Sequence, residues 1–191
     1  MKDFKSLQNI HKDKDIWIVS GGPSLNHIDK SFFENKIVLG VNDIFRYFDC
    51  DYVVVKDCNE EPRFPRLVQE LKEKDIPLIY SQYYKGYEEK GLNNCDNPNS
   101  YMFKHNPRKK DFDMELMELD IDEEIIVSRS TVTTAVHIAY YMGAKNIILC
   151  GHDGGEIDGQ MYYHEYVEKD WKSASNWDGI KGFLNNMEKE T

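Results

Sequence analysis

The sequence lacks long apolar runs and has little cysteine, and both features exclude certain classes of protein. No run approaches the roughly 20 apolar residues that a membrane-spanning helix needs, and residues 1–15 are charged, without the apolar core of a signal peptide. The four cysteines, Cys50, Cys58, Cys95 and Cys150, show no metal-ligand spacing. We therefore expect a cytoplasmic protein with free thiols, no transmembrane segment and no cysteine-bound metal.

Positive charge is also scarce, since 24 lysines and arginines stand against 34 aspartates and glutamates, for a formal net charge of -10. This excess of negative charge argues against nucleic acid or an anionic membrane as the main partner. The 191 residues, 40% of them hydrophobic, suffice for a single domain over 1–191 with a packed core. The composition does not determine the oligomeric state and is compatible with a homo-oligomer.

Short apolar runs alternate with helical patterns, which is typical of an α/β protein. Continuous apolar strands separated by helices favour a Rossmann-like, doubly wound, mostly parallel sheet with helices on both faces. Residues 82–122 follow neither pattern, so we expect an irregular, lid-like insertion there. The apolar runs predict strands at 15–20, 36–41, 52–55, 77–81, 124–128 and 146–150, and the helical patterns fall at 1–14, 24–33, 65–74, 131–142 and 178–189.

The first predicted strand stops at a turn, Gly21-Gly22-Pro23-Ser24, that opens a predicted helix. Gly21 and Gly22 lack Cβ, so a ligand can approach the backbone closely, and Pro23 suits a first helical position. Backbone N–H groups and the positive end of a helix dipole favour phosphate there. The turn is neither G-x-G-x-x-G nor followed by Gly-Lys-Ser/Thr, which disfavours the common dinucleotide fold and the P-loop. It predicts a phosphorylated or nucleotide-linked small molecule, the alternative being an ordinary strand-to-helix turn.

Polar residues follow three further predicted strands, and the carboxyl ends of parallel strands meet at one edge of a sheet. Asn42 suits a bond to a ribose or a base edge, or a cap on the next turn. Asp57 suits a metal, a ribose hydroxyl or a turn cap. After the last predicted strand, His152, Asp153 and Gly154 share a glycine-rich turn. His152 is a candidate general base, and Asp153 can orient a hydroxyl or a metal.

Arg129, Ser130 and Thr131 lie at the start of a predicted helix. Arg129 supplies a positive charge, and Ser130 and Thr131 supply hydroxyl groups beside the backbone N–H groups of the first turn. Such a grouping suits a carboxylate or a phosphate. The alternative is a helix N-cap with spare hydroxyls.

An aromatic and polar segment, Tyr162-Tyr163-His164, follows the last predicted strand. The two tyrosines offer stacking faces and a phenol that can donate to a leaving phosphate. His164 is a second candidate base. The alternative is a half-buried surface segment.

Segments 18–25 (IVSGGPSL) and 128–155 (SRSTVTTAVHIAYYMGAKNIILCGHDGG) together resemble the bacterial sialyltransferase-like superfamily. That superfamily includes lipooligosaccharide sialyltransferases, motility-accessory flagellin glycosyltransferases and archaeal-type 6-hydroxymethylpterin pyrophosphokinases. Its members share a strand with a G-x-G-P-S-L turn, a later helix start rich in Ser and Thr, an Ala-rich helix ending in Leu/Met-Gly, and a strand ending in Gly-x-Asp. The resemblance implies a nucleotide-sugar-binding domain whose donor, in the transferase branches, is a CMP-linked nine-carbon acidic sugar.

The resemblance also implies roles for residues around that donor. It implies an inverting, metal-independent displacement at the anomeric carbon, with a glycan as acceptor and no cofactor besides the donor substrate. By position, Gly22, Pro23 and Ser24 would approach the donor phosphate and the nearby sugar, and Asn42 would contact the nucleotide. Ser130 and Thr131 would hold the sugar carboxylate. Asp153 would bind the cytidine ribose region, and Tyr162 or Tyr163 would donate to the leaving phosphate.

One departure from the superfamily leaves the base open. Its sialyltransferases carry the base histidine just before the last helix, but residues 172–177 (KSASNW) contain none. This leaves His152 and His164. Two other functions stay open: an ATP- and magnesium-dependent pyrophosphokinase, in which Asp57 and Asp153 would have metal roles, and a non-catalytic nucleotide-binding relative.

Overall fold

Seven parallel strands form one sheet in the computed structural model, which describes residues 1–56, 58, 63–81, 95–106, 124–126 and 130–166. The sheet order is β6-β5-β4-β3-β2-β1-β7, so the direction of the chain across the sheet reverses between β1 and β7. Every neighbouring pair is parallel. The strands are β1 (Asp15–Val19), β2 (Ile37–Val41), β3 (Tyr52–Val55), β4 (Leu78–Ser81), β5 (Ser100–Asn106), β6 (Glu124–Ile126) and β7 (Asn146–Cys150).

Two α-helices cover opposite faces of this sheet, α1 (Arg63–Glu73) and α2 (Thr131–Tyr141). Side chains alternate along β3, so Val53 and Val55 share a core with α1 while Val54 shares a core with α2. The predicted doubly wound α/β fold with helices on both faces is therefore confirmed. None of the helices in the described ranges is long and apolar enough to cross a membrane.

Helix α2 begins and ends where its sequence predicts. Ser130 accepts a hydrogen bond from the Val132 N–H at 3.1 Å as the N-cap. Gly143 follows the last turn with φ +84°, a left-handed conformation that glycine adopts without steric cost. Because the helix is buried on nearly all sides, its side chains are mostly apolar.

The helix predicted at 24–33 is wrong. The chain instead forms two short 3-10 helices, Pro23–His27 and Lys30–Phe33. The Asp29 side chain accepts from the Ser31 N–H at 2.8 Å and so starts a new helical turn. An acidic cap at this position competes with continued α-helical hydrogen bonding.

The irregular insertion predicted at 82–122 contains a regular strand, β5, in parallel register with β4. Tyr101 and Phe103 are buried on one face of β5, at alternate positions. Within the same interval the structure describes 95–106, and the rest of the predicted lid lies outside the described residues. So do the predicted helix at 178–189 and residues 127 and 128 of the predicted strand at 124–128.

The leader, predicted as a helix over 1–14, is a short 3-10 helix, Phe4–Leu7, followed by turns. Phe4 and Leu7 are buried in the core on the α2 side of the sheet. Beyond them, alternate N–H groups of the leader bond the carbonyls at the end of α2. These bonds run from Asn9 to Tyr141, from His11 to Met142 and from Asp13 to Gly143, at 3.0, 2.9 and 3.1 Å.

Candidate functional site

Two turns lie side by side at the carboxyl ends of β1 and β7, where the order of strands across the sheet reverses. The glycine turn (residues 20–24) follows β1 and the β7 turn (residues 151–154) follows β7. The Gly22 N–H donates to the Gly151 carbonyl at 2.8 Å, and the Ser24 N–H donates to Asp153 Oδ2 at 2.8 Å. In open α/β sheets this reversal point is where ligands bind.

Close packing explains both glycines of the glycine turn. A Cβ on Gly22 would lie 2.5 Å from the Gly151 carbonyl oxygen, and a Cβ on Gly21 would lie 3.1 Å from the Tyr166 ring. The N–H groups of Gly22 and Ser24 are bonded to the β7 turn, and the Leu25 N–H donates to the Gly22 carbonyl at 3.3 Å. These N–H groups therefore serve the fold, and phosphate binding by this turn stays a prediction.

The helix expected to supply a dipole at this turn is the five-residue Pro23–His27 3-10 helix, with Gly22 as its N-cap and Pro23 in its first turn. The early position predicted for Pro23 is confirmed. A dipole grows with the number of aligned peptide units, so this short segment contributes little to anion binding.

A tyrosine segment (residues 162–166) is fastened across the glycine turn. The Tyr163 N–H donates to the Gly21 carbonyl at 3.0 Å. Tyr163 is 4% exposed and Tyr166 is 9% exposed, whereas Tyr162 is half-buried and stacks on Tyr166 with ring centroids 6.1 Å apart. Of the two tyrosines predicted to meet a phosphate, Tyr162 therefore has the more accessible phenol.

Asn42 stands at the same edge of the sheet, two residues past the pairing of Val19 with Gly40. Its φ is +55°, a left-handed conformation that asparagine adopts more readily than most residues other than glycine. Tyr47, at the end of the following 3-10 turn, packs against Tyr163 and Tyr166 with centroids 5.9 and 5.8 Å apart. The end of β2 is thus joined to the tyrosine segment.

An ionic network fixes the turn that follows Asn42. Asp43 is 1% exposed and forms ion pairs with Arg46, at 3.1 Å, and with Arg63 of α1. Arg46 also donates from Nε to Glu70 at 2.6 Å. That hydrogen bond lowers the pKa of Glu70. Asp43 and Arg46 are three positions apart, but their partners on α1, Arg63 and Glu70, lie 20 and 24 positions away along the chain, so the sequence did not predict the network.

The two candidate bases lie in different surroundings. His152, in the β7 turn, is half-buried, and burial lowers its pKa although neighbouring Asp153 partly opposes the shift. His164 is exposed, and its backbone N–H and ring Nδ1 both lie within hydrogen-bond distance of Asn26 Oδ1, at 2.9 and 2.6 Å. Gly154 is exposed with φ +69°.

Ser130 and Thr131 lie at the start of α2. Ser130 uses its side-chain oxygen as the N-cap, and its carbonyl accepts from the Thr133 hydroxyl at 2.6 Å. Among the described residues, no hydrogen bond joins Ser130 or Thr131 to the glycine turn. Their predicted role at a carboxylate stays a prediction.

Two predicted site residues, Asp57 and Arg129, lie outside the described residues. Within the described ranges, no three His, Cys, Asp or Glu side chains are grouped to hold a metal ion. All four cysteines have free thiols.

Three further partners in this site, Asn26, Gln160 and Tyr47, were not predicted from the sequence. Asn26 bonds His164 and Gln160 across 138 and 134 positions of the chain. The local signal is weak, because Asn26 is simply a polar residue two positions after Ser24. Such a residue does not by itself identify a partner 138 positions away.

A family model described as "MptE-like: 6-hydroxymethylpterin diphosphokinase MptE-like" matches residues 1–159. The chain belongs to the MptE-like family. No curated protein matches it.

Solved structures with a similar fold include two bacterial glycosyltransferases. The sialyltransferase CstII from Campylobacter jejuni, solved in complex with the substrate analogue CMP-3FNeuAc, has a TM-score of 0.54 and 18% identity over 93% of this chain and 78% of that one. The MAf glycosyltransferase from Magnetospirillum magneticum AMB-1 has a TM-score of 0.50 and 14% identity over 82% of this chain. The match covers 28% of the MAf chain, so this protein spans well under half of that relative. Together with the family match, these likenesses confirm the predicted superfamily, and they show that this MptE-like chain has a glycosyltransferase-like fold.

Proposed function

We propose that this MptE-like protein is a glycosyltransferase that moves an acidic, sialic-acid-like nine-carbon sugar from a CMP-sugar to a surface-glycan acceptor. The observation that carries this proposal is the pairing of the glycine turn with the β7 turn at the reversal of strand order, beneath the tyrosine segment. The fold shared with a sialyltransferase that binds a CMP-sugar analogue supports it. We also propose that it acts in the cytoplasm, in keeping with its free thiols.

In this proposal the nucleotide lies across the carboxyl ends of β1, β2 and β7. Asp153 has one carboxylate oxygen bonded to the Ser24 N–H, and its other oxygen would accept from a ribose hydroxyl. Asn42 would bond the nucleotide from the end of β2. The Ser24 hydroxyl would donate a hydrogen bond to the phosphate or the sugar of the CMP-sugar. Ser130 and Thr131 would hold the sugar carboxylate.

The reaction proposed is an inverting displacement. An acceptor hydroxyl attacks the anomeric carbon, the bond from that carbon to the phosphate oxygen breaks, and CMP leaves with the electron pair. The phenol of Tyr162 would donate to the phosphate as negative charge develops on it. A base must take the proton of the acceptor hydroxyl, and His164 and His152 are the candidates.

The test is transfer or hydrolysis of a CMP-linked acidic sugar, measured in EDTA and again with Mg²⁺. We expect CMP release that does not depend on the metal. Tyr162→Phe should slow it by about a hundredfold, as expected for loss of one donor to developing charge. Tyr140→Phe, at a half-buried tyrosine on α2, is the matched control and should keep the wild-type rate. An unchanged rate in Tyr162→Phe would exclude the proposed role of this phenol.

The description of the family favours a second candidate, diphosphoryl transfer from ATP to a pterin-like alcohol. Under this alternative Mg²⁺ would be required, and Asp153 would be one of its ligands. ATP consumption that depends on Mg²⁺, with no release of CMP from CMP-sugars, would decide for it.

A further inference from the structure

Asn26 fixes the ring of His164. Its side-chain oxygen accepts the His164 backbone N–H at 2.9 Å and lies 2.6 Å from ring Nδ1. Its side-chain nitrogen donates to Gln160 Oε1 at 2.7 Å. Because the His164 backbone N–H can only donate, the Asn26 atom that faces the histidine is the side-chain oxygen, and the Asn26 nitrogen then faces Gln160.

The state of the His164 ring follows from this contact. The Asn26 oxygen can only accept, so ring Nδ1 must carry a proton. In the neutral ring, Nε2 then has no proton and keeps its lone pair. The imidazole is thereby held in the tautomer that a base needs, with the basic nitrogen on the side away from Asn26.

A carboxylate stands on that other side of the ring. Glu165 Oε1 lies 3.5 Å from His164 Nε2, too long for a good hydrogen bond but close enough to stabilise a cation. Glu165 Oε2 in turn pairs with Lys30 at 3.1 Å. The hydrogen bond from Lys30 lowers the pKa of Glu165, so this carboxylate stays charged near neutral pH.

This group stands next to the glycine turn. Asn26 belongs to the same 3-10 helix as Ser24, Pro23–His27. The residue before His164, Tyr163, donates its N–H to Gly21. The His164 side chain is also 55% exposed, so an acceptor sugar can reach the ring from solvent.

We propose that Asn26 is a positioning residue that makes His164 the general base of the transfer, an inference that rests on the proposed function. The proton of the acceptor hydroxyl passes to His164 Nε2. The electron pair of that O–H bond forms the new bond to the anomeric carbon, and the pair of the breaking bond leaves on the phosphate oxygen of CMP. Glu165 stabilises the imidazolium until its proton returns to solvent.

The tautomer can be measured without any substrate, by long-range proton–nitrogen NMR of the histidine rings. We expect His164 in the wild-type protein to be protonated on Nδ1 when neutral. In Asn26→Ala we expect a mixture shifted toward protonation on Nε2, the form that free imidazole side chains favour. A wild-type His164 protonated on Nε2 would overturn the inference whatever the activity of the protein.

The pH dependence of transfer tests the link to catalysis. Asn26→Asp keeps the shape and the accepting oxygen but places a negative charge beside Nδ1, which favours the imidazolium. The acidic limb of the pH–rate profile should therefore move up, by roughly 0.2–0.7 pH unit for an ion pair as exposed as this one. Asn35→Asp adds the same charge at an exposed position elsewhere and should leave the profile unchanged.

The outcomes separate this inference from the proposed function. If wild-type protein transfers the sugar, and the NMR titration of His164 moves in Asn26→Asp while the rate profile does not, the inference is wrong and the proposed function stands. If wild-type protein neither binds CMP nor releases it from CMP-sugars, the proposed function fails and the role of His164 as its base fails with it. A profile that moves together with the His164 titration supports both.

Discussion

At the scale of single residues, the contact between the glycine turn and the β7 turn depends on the missing Cβ of Gly22. A Cβ there would lie 2.5 Å from the Gly151 carbonyl oxygen, a backbone atom that cannot turn aside. We predict that Gly22→Ala lowers the free energy of unfolding by about 1–3 kcal/mol, as overpacking does. It should also weaken nucleotide binding, since it pushes the two turns apart. Urea unfolding and calorimetric titration with CMP measure the two effects.

Gly155 provides the control for this substitution. It lies just past the β7 turn, and a Cβ there would meet nothing within 4 Å. Gly155→Ala should change the free energy of unfolding by no more than about 0.5 kcal/mol. Equal effects of the two substitutions would contradict the packing described for Gly22.

Two histidines make stability depend on pH in the same direction. Burial lowers the pKa of His11 and of His152 below the ordinary value of 6.5, with nearby aspartates partly opposing it. The unfolded chain therefore binds protons first as the pH falls. The stability that the neutral rings contribute is fully present above pH 6.5. It is lost as the pH falls through the lower pKa values that the two histidines have in the folded protein.

We predict that the free energy of unfolding falls as the pH drops below 6.5, and that His11→Gln reduces this slope. His11 bonds the Tyr52 hydroxyl at 3.1 Å, so glutamine keeps a polar partner there. His27→Gln, at a side chain that is 60% exposed, is the control and should leave the slope as it is. Stability that rises on acidification would contradict the prediction.

At the scale of elements, the start of α2 combines a structural role with a proposed binding role, and one substitution separates them. Ser130→Ala removes the N-cap and should lower the free energy of unfolding by about 1 kcal/mol. Ser130→Asp keeps a good cap but puts a negative charge where the sugar carboxylate would lie. We predict that Ser130→Asp keeps wild-type stability and CMP affinity but binds a CMP-linked acidic sugar several-fold more weakly. Unchanged affinity for that sugar would exclude Ser130 from the carboxylate site.

Elements with a single strong pattern could be predicted from the sequence. The strands β1, β2, β3, β4 and β7 are continuous apolar runs, and α2 has both a serine cap and a terminal glycine. Strand β5 was missed because a polar stretch precedes it and Lys104 breaks its apolar run. The helix expected after Gly22 was wrong because a second cap, at Asp29, divides it.

The site was predictable only in part, for a physical reason. The ends of parallel strands meet at one edge, so polar residues after β1, β2 and β7 could be grouped without coordinates. Which atoms then meet depends on the path of the chain between strands. The bond between Ser24 and Asp153 spans 129 positions, and the one between Asn26 and His164 spans 138.

At the scale of the whole molecule, the leader ties the N-terminus to both the sheet and α2. Lys2 pairs with Tyr101 of β5, and Leu7 is fully buried beside α2. We predict that Leu7→Ala lowers the free energy of unfolding by about 2–5 kcal/mol, the usual cost of a core cavity. Ile10→Ala, in the same leader but 49% exposed, should cost far less. Thermal and urea unfolding compare the two, and a similar loss in both variants would show that the leader is not part of the core.

The proposed function requires that the paired turns between β1 and β7 bind the nucleotide of a CMP-sugar. Calorimetric titration of wild-type protein and Asp153→Asn with CMP, CDP and ATP, each with and without Mg²⁺, tests this requirement. We predict that CMP binds wild-type protein equally well in both conditions, and that Asp153→Asn binds it at least several-fold more weakly. Binding of ATP that requires Mg²⁺, or CMP affinity that Asp153→Asn leaves unchanged, would contradict the proposed function.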